Sequence, residues 1–245
     1  MFSFFKSKPT LSDLIPNNYV DIHSHLLPGI DDGAKNRDES LFLIKKMLDL
    51  GFEQVTTTPH IIKNIWDNNF DQIQDLTKKT ILDFKTENIN LHFKSAAEYM
   101  MDIDFIDLFK SEKLLTLKDN YVLVEMSYLN PPIQLYEIIF DLQIAGYKPV
   151  LAHPERYGFY HHNLQEYYKL KKAGCFFQLN LLSNVGYYGD DVMKTADKLL
   201  ENDLIDFVGS DIHHKQHIDS FFNKLKIKNI NNLEKVINNN QFFRV

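Results

Sequence analysis

The sequence predicts an α/β chain built on parallel strands joined by helical crossovers, and three observations carry that prediction. Strand-like runs alternate with helix-like runs from Tyr19 to the C-terminus, the pattern of a parallel sheet wound through helices. The strand-like runs are uniformly apolar, as strands buried on both faces are. A His, Asp or Glu stands just after almost every one of them: His23 and His25, Asp31 and Asp32, His60, Glu98, Glu125, His153, Asp211 and His213. Side chains at the ends of many strands converge only if those strands run side by side in one direction. That is the layout of a barrel-type site at the C-terminal strand ends.

The elements follow in order. The first strand is Tyr19 to Ile22. A helix from Asp38 to Leu50 places Leu41, Ile44, Met47 and Leu48 on one face and closes at Gly51. The second strand is Phe52 to Thr58, where Pro59 stops it and projects His60 into a loop. A helical stretch spans Phe70 to Glu87. The third strand is Leu91 to Ala97, ending at Glu98, followed by a short helix from Phe105 to Phe109. The fourth strand is Tyr121 to Met126. Pro131 and Pro132 are expected to open a helix from Ile133 to Ala145. The fifth strand, Lys148 to Ala152, leads to a helix from Leu164 to Ala173. The sixth, Cys175 to Leu179, leads to a helix from Asp190 to Asn202. The seventh is Asp206 to Ser210, and the last helix is Leu233 to Asn239. The asparagine runs 229–232 and 238–240 read as turn or capping material.

The chain has 245 residues, 44% of them apolar. That suits one sizeable domain over residues 19–245, preceded by a tail of residues 1–18. Formal net charge is -6 and the basic residues are dispersed, which argues against a nucleic-acid partner. The single cysteine, Cys175, excludes an intramolecular disulfide and fits a reducing, cytoplasmic compartment. No stretch approaches the roughly 20 apolar residues of a membrane span. The opening Met1 to Lys8 lacks the layout of a signal peptide. Its phenylalanines are expected to pack on the domain, with a membrane-surface anchor as the weaker reading.

His23 and His25 are two residues apart, so on a strand they share a face. Asp31-Asp32-Gly33 adds carboxylates on a nearby turn. Asp211 and His213 repeat the two-residue spacing, and His153 precedes Pro154. Glu98 and Glu125 end apolar runs, where a glutamate is costly unless paired or metal-bound. Any one of these alone reads as a cap or a rim residue. Six strand ends carrying them together read as a metal site. There are too many ligands for one tetrahedral ion, so two to three divalent ions are expected, with Glu98 as a bridge. A His/carboxylate set without thiolate suits Mn²⁺, Fe²⁺ or Zn²⁺. Such ions polarise phosphoryl or acyl oxygens and activate water, which is hydrolytic chemistry.

These residues resemble a known family. Asp21-Ile22-His23-Ser24-His25, Asp31-Asp32-Gly33, Thr58-Pro59-His60, Ala97-Glu98, Val124-Glu125, Ala152-His153-Pro154-Glu155-Arg156-Tyr157 and Ser210-Asp211-Ile212-His213 are similar to the PHP (polymerase and histidinol phosphatase) superfamily. Within it they resemble the CpsB/CapC/YwqE-type bacterial protein tyrosine phosphatases, over about residues 19–240. The resemblance implies a distorted (β/α)7 barrel, the PHP fold, and a trinuclear centre, with Mn²⁺ first and Fe or Zn as alternatives. His23, His25, Glu98 and Asp211 would hold one ion, Glu98, Glu125 and His153 a second, and Asp32, His60 and His213 a third. Arg156 would bind the substrate phosphate, as a bidentate guanidinium suits, with Asp211 and His213 beside it at the reacting centre. The family's second phosphate-binding arginine has no counterpart in His214-Lys215-Gln216-His217, so Lys215 or His217 is the candidate substitute.

Asn180 either binds substrate or caps a turn, and Tyr128 and Tyr157 either stack on a substrate ring or pack in the interior. Thiol-dependent phosphatase chemistry needs Cys-x5-Arg, and Leu181 stands six residues after Cys175. Three functions stay open. One is a metal-dependent phosphatase that hydrolyses protein phosphotyrosine with metal-activated water, its substrate the tail of a bacterial tyrosine kinase governing capsule or exopolysaccharide synthesis. A second is a small-molecule phosphatase of the superfamily, such as a histidinol-phosphate phosphatase. A third is a non-catalytic module. Oligomeric state is left open.

Overall fold

The computed structural model describes residues 8–245. The N-terminal phenylalanines expected to pack on the domain lie outside that range. Among the described residues are nine strands, all paired in parallel: β1 (Tyr19–Asp21), β2 (Phe52–Thr57), β3 (His60–Ile61), β4 (His92–Ser95), β5 (Glu98–Met100), β6 (Tyr121–Glu125), β7 (Lys148–Ala152), β8 (Phe176–Asn180) and β9 (Phe207–Gly209). Eight helices connect and cover them: α1 (Arg37–Asp49), α2 (Phe70–Thr86), α3 (Ile103–Ser111), α4 (Leu135–Ile144), α5 (Leu164–Lys172), α6 (Asp190–Glu201), α7 (Lys215–Ser220) and α8 (Ile230–Asn239).

The α/β class and the parallel strands are as the sequence implies, but the strands form no closed (β/α)7 barrel. They make two sheets, a three-stranded one in the order β1-β2-β4 and a six-stranded one in the order β3-β5-β6-β7-β8-β9. The cause is local. The chain bends at Thr58-Pro59, where the second strand is expected to stop, and at Ala96-Ala97, inside the run expected as the third, and each time it goes on in the other sheet. A proline has no N–H for the ladder, which accounts for the first bend. His60, expected in a loop, therefore lies on a short strand directly opposite Glu98. On the far side, β9 and β1 meet through a single parallel bridge, Ser24 to Ile212. The Asp211 N–H donates to the His23 carbonyl at 2.8 Å, and the His25 N–H donates to the Ile212 carbonyl at 2.9 Å.

Helix starts obey their caps. The side chains of Asn36, Asn69 and Asp102 accept from the N–H groups of Glu39, Gln72 and Phe105 at 3.0, 3.0 and 2.9 Å. The proline pair does not open α4. It sits in the preceding turn, where the Leu135 N–H donates to the Pro132 carbonyl, and the helix begins at Leu135. The short α7, which the sequence pattern does not show, follows His213 and His214 directly.

The strands are buried on both faces. Tyr19, Val122, Val124, Leu151, Phe177 and Val208 pack against the helices. Val20, Ile22, Leu123, Val150, Ala152 and Phe207 form a second cluster, which Phe243 from the C-terminus joins. The alternation follows the two-residue period of a strand. Asn240 is more than turn material. Fully buried, its amide donates to the Val20 and Val208 carbonyls at 2.9 and 2.8 Å and accepts from the Val208 N–H at 3.1 Å, clamping β1 to β9. Asn240→Ala is expected to lower unfolding free energy by roughly 2–4 kcal/mol, because it orphans buried backbone groups at both strands. Urea denaturation, with the slope unchanged, measures it.

Candidate metal centre and active site

The nine side chains singled out as ligands come together at the strand ends. Glu98, at the start of β5, is the hub and is almost fully buried. One carboxylate oxygen lies 3.2 Å from His23 Nε2, 3.4 Å from His25 Nε2 and 3.3 Å from His60 Nδ1. The other lies 3.0 Å from His153 Nε2. Asp211 Oδ1 closes the first group, 3.3 Å from His23 Nε2 and 3.6 Å from His25 Nε2. Asp32 Oδ1 sits between His60 Nε2 and His213 Nε2, at 3.5 and 3.4 Å. Glu125 Oε1 lies 3.0 Å from His60 Nδ1. The ligand atoms fall into overlapping groups around His25-Asp32-His60-His213, His23-Glu98-His153, His23-His25-Asp211 and His60-Glu98-Glu125. His60, expected with Asp32 and His213 alone, thus also faces the two glutamates.

Partners outside the cluster fix which nitrogen faces inward. His23 Nδ1 donates to Gln178 Oε1 at 2.6 Å, His25 Nδ1 to Asp31 Oδ2 at 2.8 Å, and His213 Nδ1 to the Asp211 carbonyl at 2.9 Å. Each leaves Nε2 free for the centre. Asp31 also accepts from the Gly33 and His60 N–H groups. A Cβ at Gly33 would fall 2.1 Å from the His25 carbonyl, so only glycine permits this turn. Sequence reasoning missed Gln178, although a glutamine in a buried strand, two residues before Asn180 and so on the same face, was the available signal. Asp21 is not a ligand. It accepts from the Ser210 N–H and Oγ at 2.9 and 2.7 Å, locking β1 to the end of β9, and burial pushes its carboxyl up to about 7.

The cluster calls for positive charge. Burial opposes ionisation of Glu98, yet the neighbouring His23 and His60 hold its carboxyl well below the usual range. Burial pulls His23 down, but Glu98 and Asp211 outweigh it and raise the imidazole to about 9. Four carboxylates converge here against one guanidinium, that of Arg156. His60 Nδ1, Glu125 Oε1 and His153 Nδ1 are buried with no hydrogen-bond partner. Imidazoles and carboxylates with unmet acceptors, and no thiolate, fit hard-to-borderline divalent cations.

A cleft of about 270 Å³ opens above the cluster, lined by Tyr128, Arg156, Tyr188, His214 and His217 in addition to ligands. Arg156 donates to Asp211 Oδ2 at 2.9 Å, and its guanidinium lies 4.8 and 4.2 Å from the rings of Tyr128 and Tyr188. Asn180 is fully buried and does not line this cleft. Its amide donates to the same Asp211 oxygen at 2.6 Å, and its Oδ1 caps the Leu182 N–H. Lys215 is not brought to the cleft. It faces an adjoining groove, 65% exposed and paired with Asp219. His217 lines the cleft instead, with burial and then His214 holding its imidazole down to about 3. Tyr157 is an interior residue whose hydroxyl accepts from the Met126 N–H, while Tyr128 is 46% exposed at the mouth. Glu155, also unforeseen, is fully buried and accepts from the Asn180 N–H and Ser183 Oγ at 3.0 and 2.6 Å, tying the turn that carries Arg156 to the end of β8.

Comparison with known proteins gives a consistent picture. The family model described as capsular polysaccharide synthesis, CpsB/CapC, matches residues 19–235. The tyrosine-protein phosphatase YwqE of Bacillus subtilis is 30% identical over 196 residues, covering 80% of this chain and 77% of that protein. The tyrosine-protein phosphatase CpsB of Streptococcus pneumoniae is 29% identical over 208 residues, covering 80% and 83%. The crystal structures of these two, described as unique metal-dependent tyrosine phosphatases, include a chain that superposes with a TM-score of 0.78 at 28% identity, covering 88% of this chain and 86% of that one.

If Asp31 serves to orient His25, removing it should loosen metal binding without unfolding the chain. Asp31→Ala is expected to weaken Mn²⁺ affinity about 10–100-fold, the usual effect of losing a carboxylate behind a ligating histidine. Calorimetric titration, alongside an unchanged far-UV spectrum, checks it.

Proposed function

We propose, from the premise that this chain belongs to the CpsB/CapC family of capsular polysaccharide synthesis, that it is a metal-dependent protein-tyrosine phosphatase. The observation that carries the reading is the meeting of five histidines and three further carboxylates around Glu98, with Arg156 at the mouth beside Asp211. Relatives aligned over most of their length are tyrosine-protein phosphatases. The alternative of a small-molecule phosphatase such as a histidinol-phosphate phosphatase is not favoured by them.

His23, His25, Glu98 and Asp211 would hold one ion, Glu98, Glu125 and His153 a second, and Asp32, His60 and His213 a third, with Mn²⁺ our choice of metal. When bound, such ions polarise the phosphoryl oxygens and lower the pKa of water so that hydroxide is available near neutral pH. The chain's own residues do the rest. Arg156, held between two tyrosine rings, offers its remaining N–H groups to the phosphate. Asn180 and Arg156 both bond Asp211 Oδ2, which leaves Oδ1 turned to the histidines. The leaving phenolate has a conjugate-acid pKa of about 10, so it departs without a strong proton donor. No thiol takes part: Cys175 is buried, and burial pushes it up to about 12.

The substrate we propose is the phosphotyrosine tail of a bacterial tyrosine kinase controlling capsular or exopolysaccharide synthesis, met in the cytoplasm by residues 19–245 acting as one phosphatase domain. No helix among the described residues is long and apolar enough to cross a membrane.

Chelation is expected to abolish hydrolysis of a phosphotyrosine peptide, and Mn²⁺ to restore it. Arg156→Ala should keep its metal content by elemental analysis while kcat/KM falls about 10²-fold or more, as for loss of a preorganised charged donor. Arg156→Lys should recover little of it, since an ammonium cannot reproduce the guanidinium fork. Loss of metal in parallel with activity would move Arg156 from substrate binding to support of Asp211.

A further inference from the structure

We propose that an apolar cavity beside the metal centre receives an apolar side chain of the phosphoprotein, a few residues from its phosphotyrosine; the proposal rests on the phosphatase reading above. The cavity measures about 320 Å³, the lower end of ligand-sized pockets. Tyr99, Phe105 and Leu114 are its buried residues, with Trp66, Phe70 and Leu108 around them.

The chemistry of the occupant follows from what the walls leave unmet. Most of the polar groups there are engaged within the chain, and the charged Glu112 and Lys113 stand exposed at the rim. The Tyr99 hydroxyl accepts from the Leu115 N–H, Asp102 caps α3, Asn69 caps α2 and Lys63 pairs with Asp104. Asn68 donates to the Ile30 and His60 carbonyls. None of the buried polar atoms without a partner belongs to a residue lining this cavity, whereas three of them belong to the metal cluster. An apolar group would gain by leaving water, while a polar one would lose its hydration for nothing.

Its position says where that group comes from. His60 and Glu98 line the metal cleft, and the next residues, Ile61, Tyr99 and Met100, line the cavity. The β3–β5 pair is the wall between them. An extended chain advances about 3.3–3.6 Å per residue, so a peptide crossing this wall from the cleft reaches the cavity within a few residues of the phosphotyrosine. The cleft itself, about 270 Å³, is of a size for the phosphoaryl group.

Trp66 is the only tryptophan in the chain, so its emission reports occupancy independently of turnover. The test uses metal-loaded protein, p-nitrophenyl phosphate, and phosphotyrosine peptides carrying Leu or Ser three residues before or after the phosphotyrosine. On one side, the Leu peptide is expected to exceed its Ser counterpart about tenfold in kcat/KM, the discrimination typical of an apolar pocket. Phe70→Asp puts a carboxylate at the exposed rim, in the first turn of α2 where the helix favours it, and Leu108→Phe fills the cavity. Both should bring the ratio within about twofold while p-nitrophenyl phosphate hydrolysis is unchanged. The unphosphorylated Leu peptide should shift Trp66 emission saturably in the wild type and more weakly in Phe70→Asp. Equal rates for Leu and Ser peptides on both sides, or a preference that survives both variants, overturns the proposal. So does a Trp66 response to free indole but to no peptide, which would make the cavity a small-molecule site. Failure to hydrolyse any of these phosphoesters would sink the phosphatase reading instead. The peptide titration of Trp66 then decides the cavity alone, a saturable shift supporting it and no shift refuting it.

Discussion

Glu98 is the residue around which the rest is arranged. Its two oxygens face four histidines delivered by three different chain segments: the end of β1, the strand β3 and the end of β7. A buried carboxylate is costly unless positive charge or hydrogen bonds surround it. Here the surroundings are imidazoles, so the demand is met by protons on them, as the raised His23 shows, or by cations. The same demand sets the architecture. β3 must lie against β5 for His60 to stand opposite Glu98, and β1 must meet β9 for His23 to reach Asp211. The bends that split the strands into two sheets are the geometry that brings β3 there.

The backbone around the centre is held in conformations that ordinary residues avoid. His153 and Asp211 both have positive φ, 36° and 51°. Such left-handed positions cost of order 1–3 kcal/mol each and persist only where the surroundings over-determine them. The surroundings are visible. The His153 N–H donates to the Gln178 carbonyl, and Asp211 is fixed through its N–H by the His23 carbonyl and through Oδ2 by Asn180 and Arg156. A strand end that turns left-handed swings its next side chain out of the pleat and across the mouth. That is how adjacent strands, whose side chains would otherwise stand parallel, aim at one point. Gly209 serves the same end, since a Cβ there would collide with the His23 Cβ at 2.6 Å and Gln178 Nε2 at 2.7 Å.

Much of this was legible in the sequence because ligands are few, chemically distinct and placed at strand ends. The nine predicted ligands meet, and the alternation of strands and helices predicts the parallel class. Two things were not legible. The change of sheet at Thr58-Pro59 and at Ala96-Ala97 is a tertiary event: the proline stop is plain in the sequence, but only pairing partners show that the chain goes on in the other sheet. The groups that orient the ligands were hidden for a different reason. Gln178 and Glu155 act through atoms of residues remote in sequence, and nothing in local composition separates a glutamine that aims an imidazole from one that caps a turn. Lys215 shows the converse. Sequence position near the last ligand suggested a phosphate contact, but the start of α7 turns its side chain toward Asp219.

The distribution of the ligands has a consequence for how the site and the fold depend on each other. His23 and His25 come from the three-stranded sheet, and His60, Glu98, Glu125, His153 and Asp211 from the six-stranded one or its ends. Between β1 and β9 the backbone contributes only one bridge with its adjoining hydrogen bonds, helped by Asn240 and by Asp21 with Ser210. A cation shared by His23, His25 and Asp211 would therefore act as a crosslink at the seam where the main-chain ladder is thinnest. Binding to the native state alone stabilises it by mass action, and here that stabilisation falls on the contact between the sheets. Without cations, the four carboxylates of the cluster have histidine protons and Arg156 as their compensation. The seam is thus both the place where the chemistry is assembled and the part of the fold most dependent on the ions that perform it.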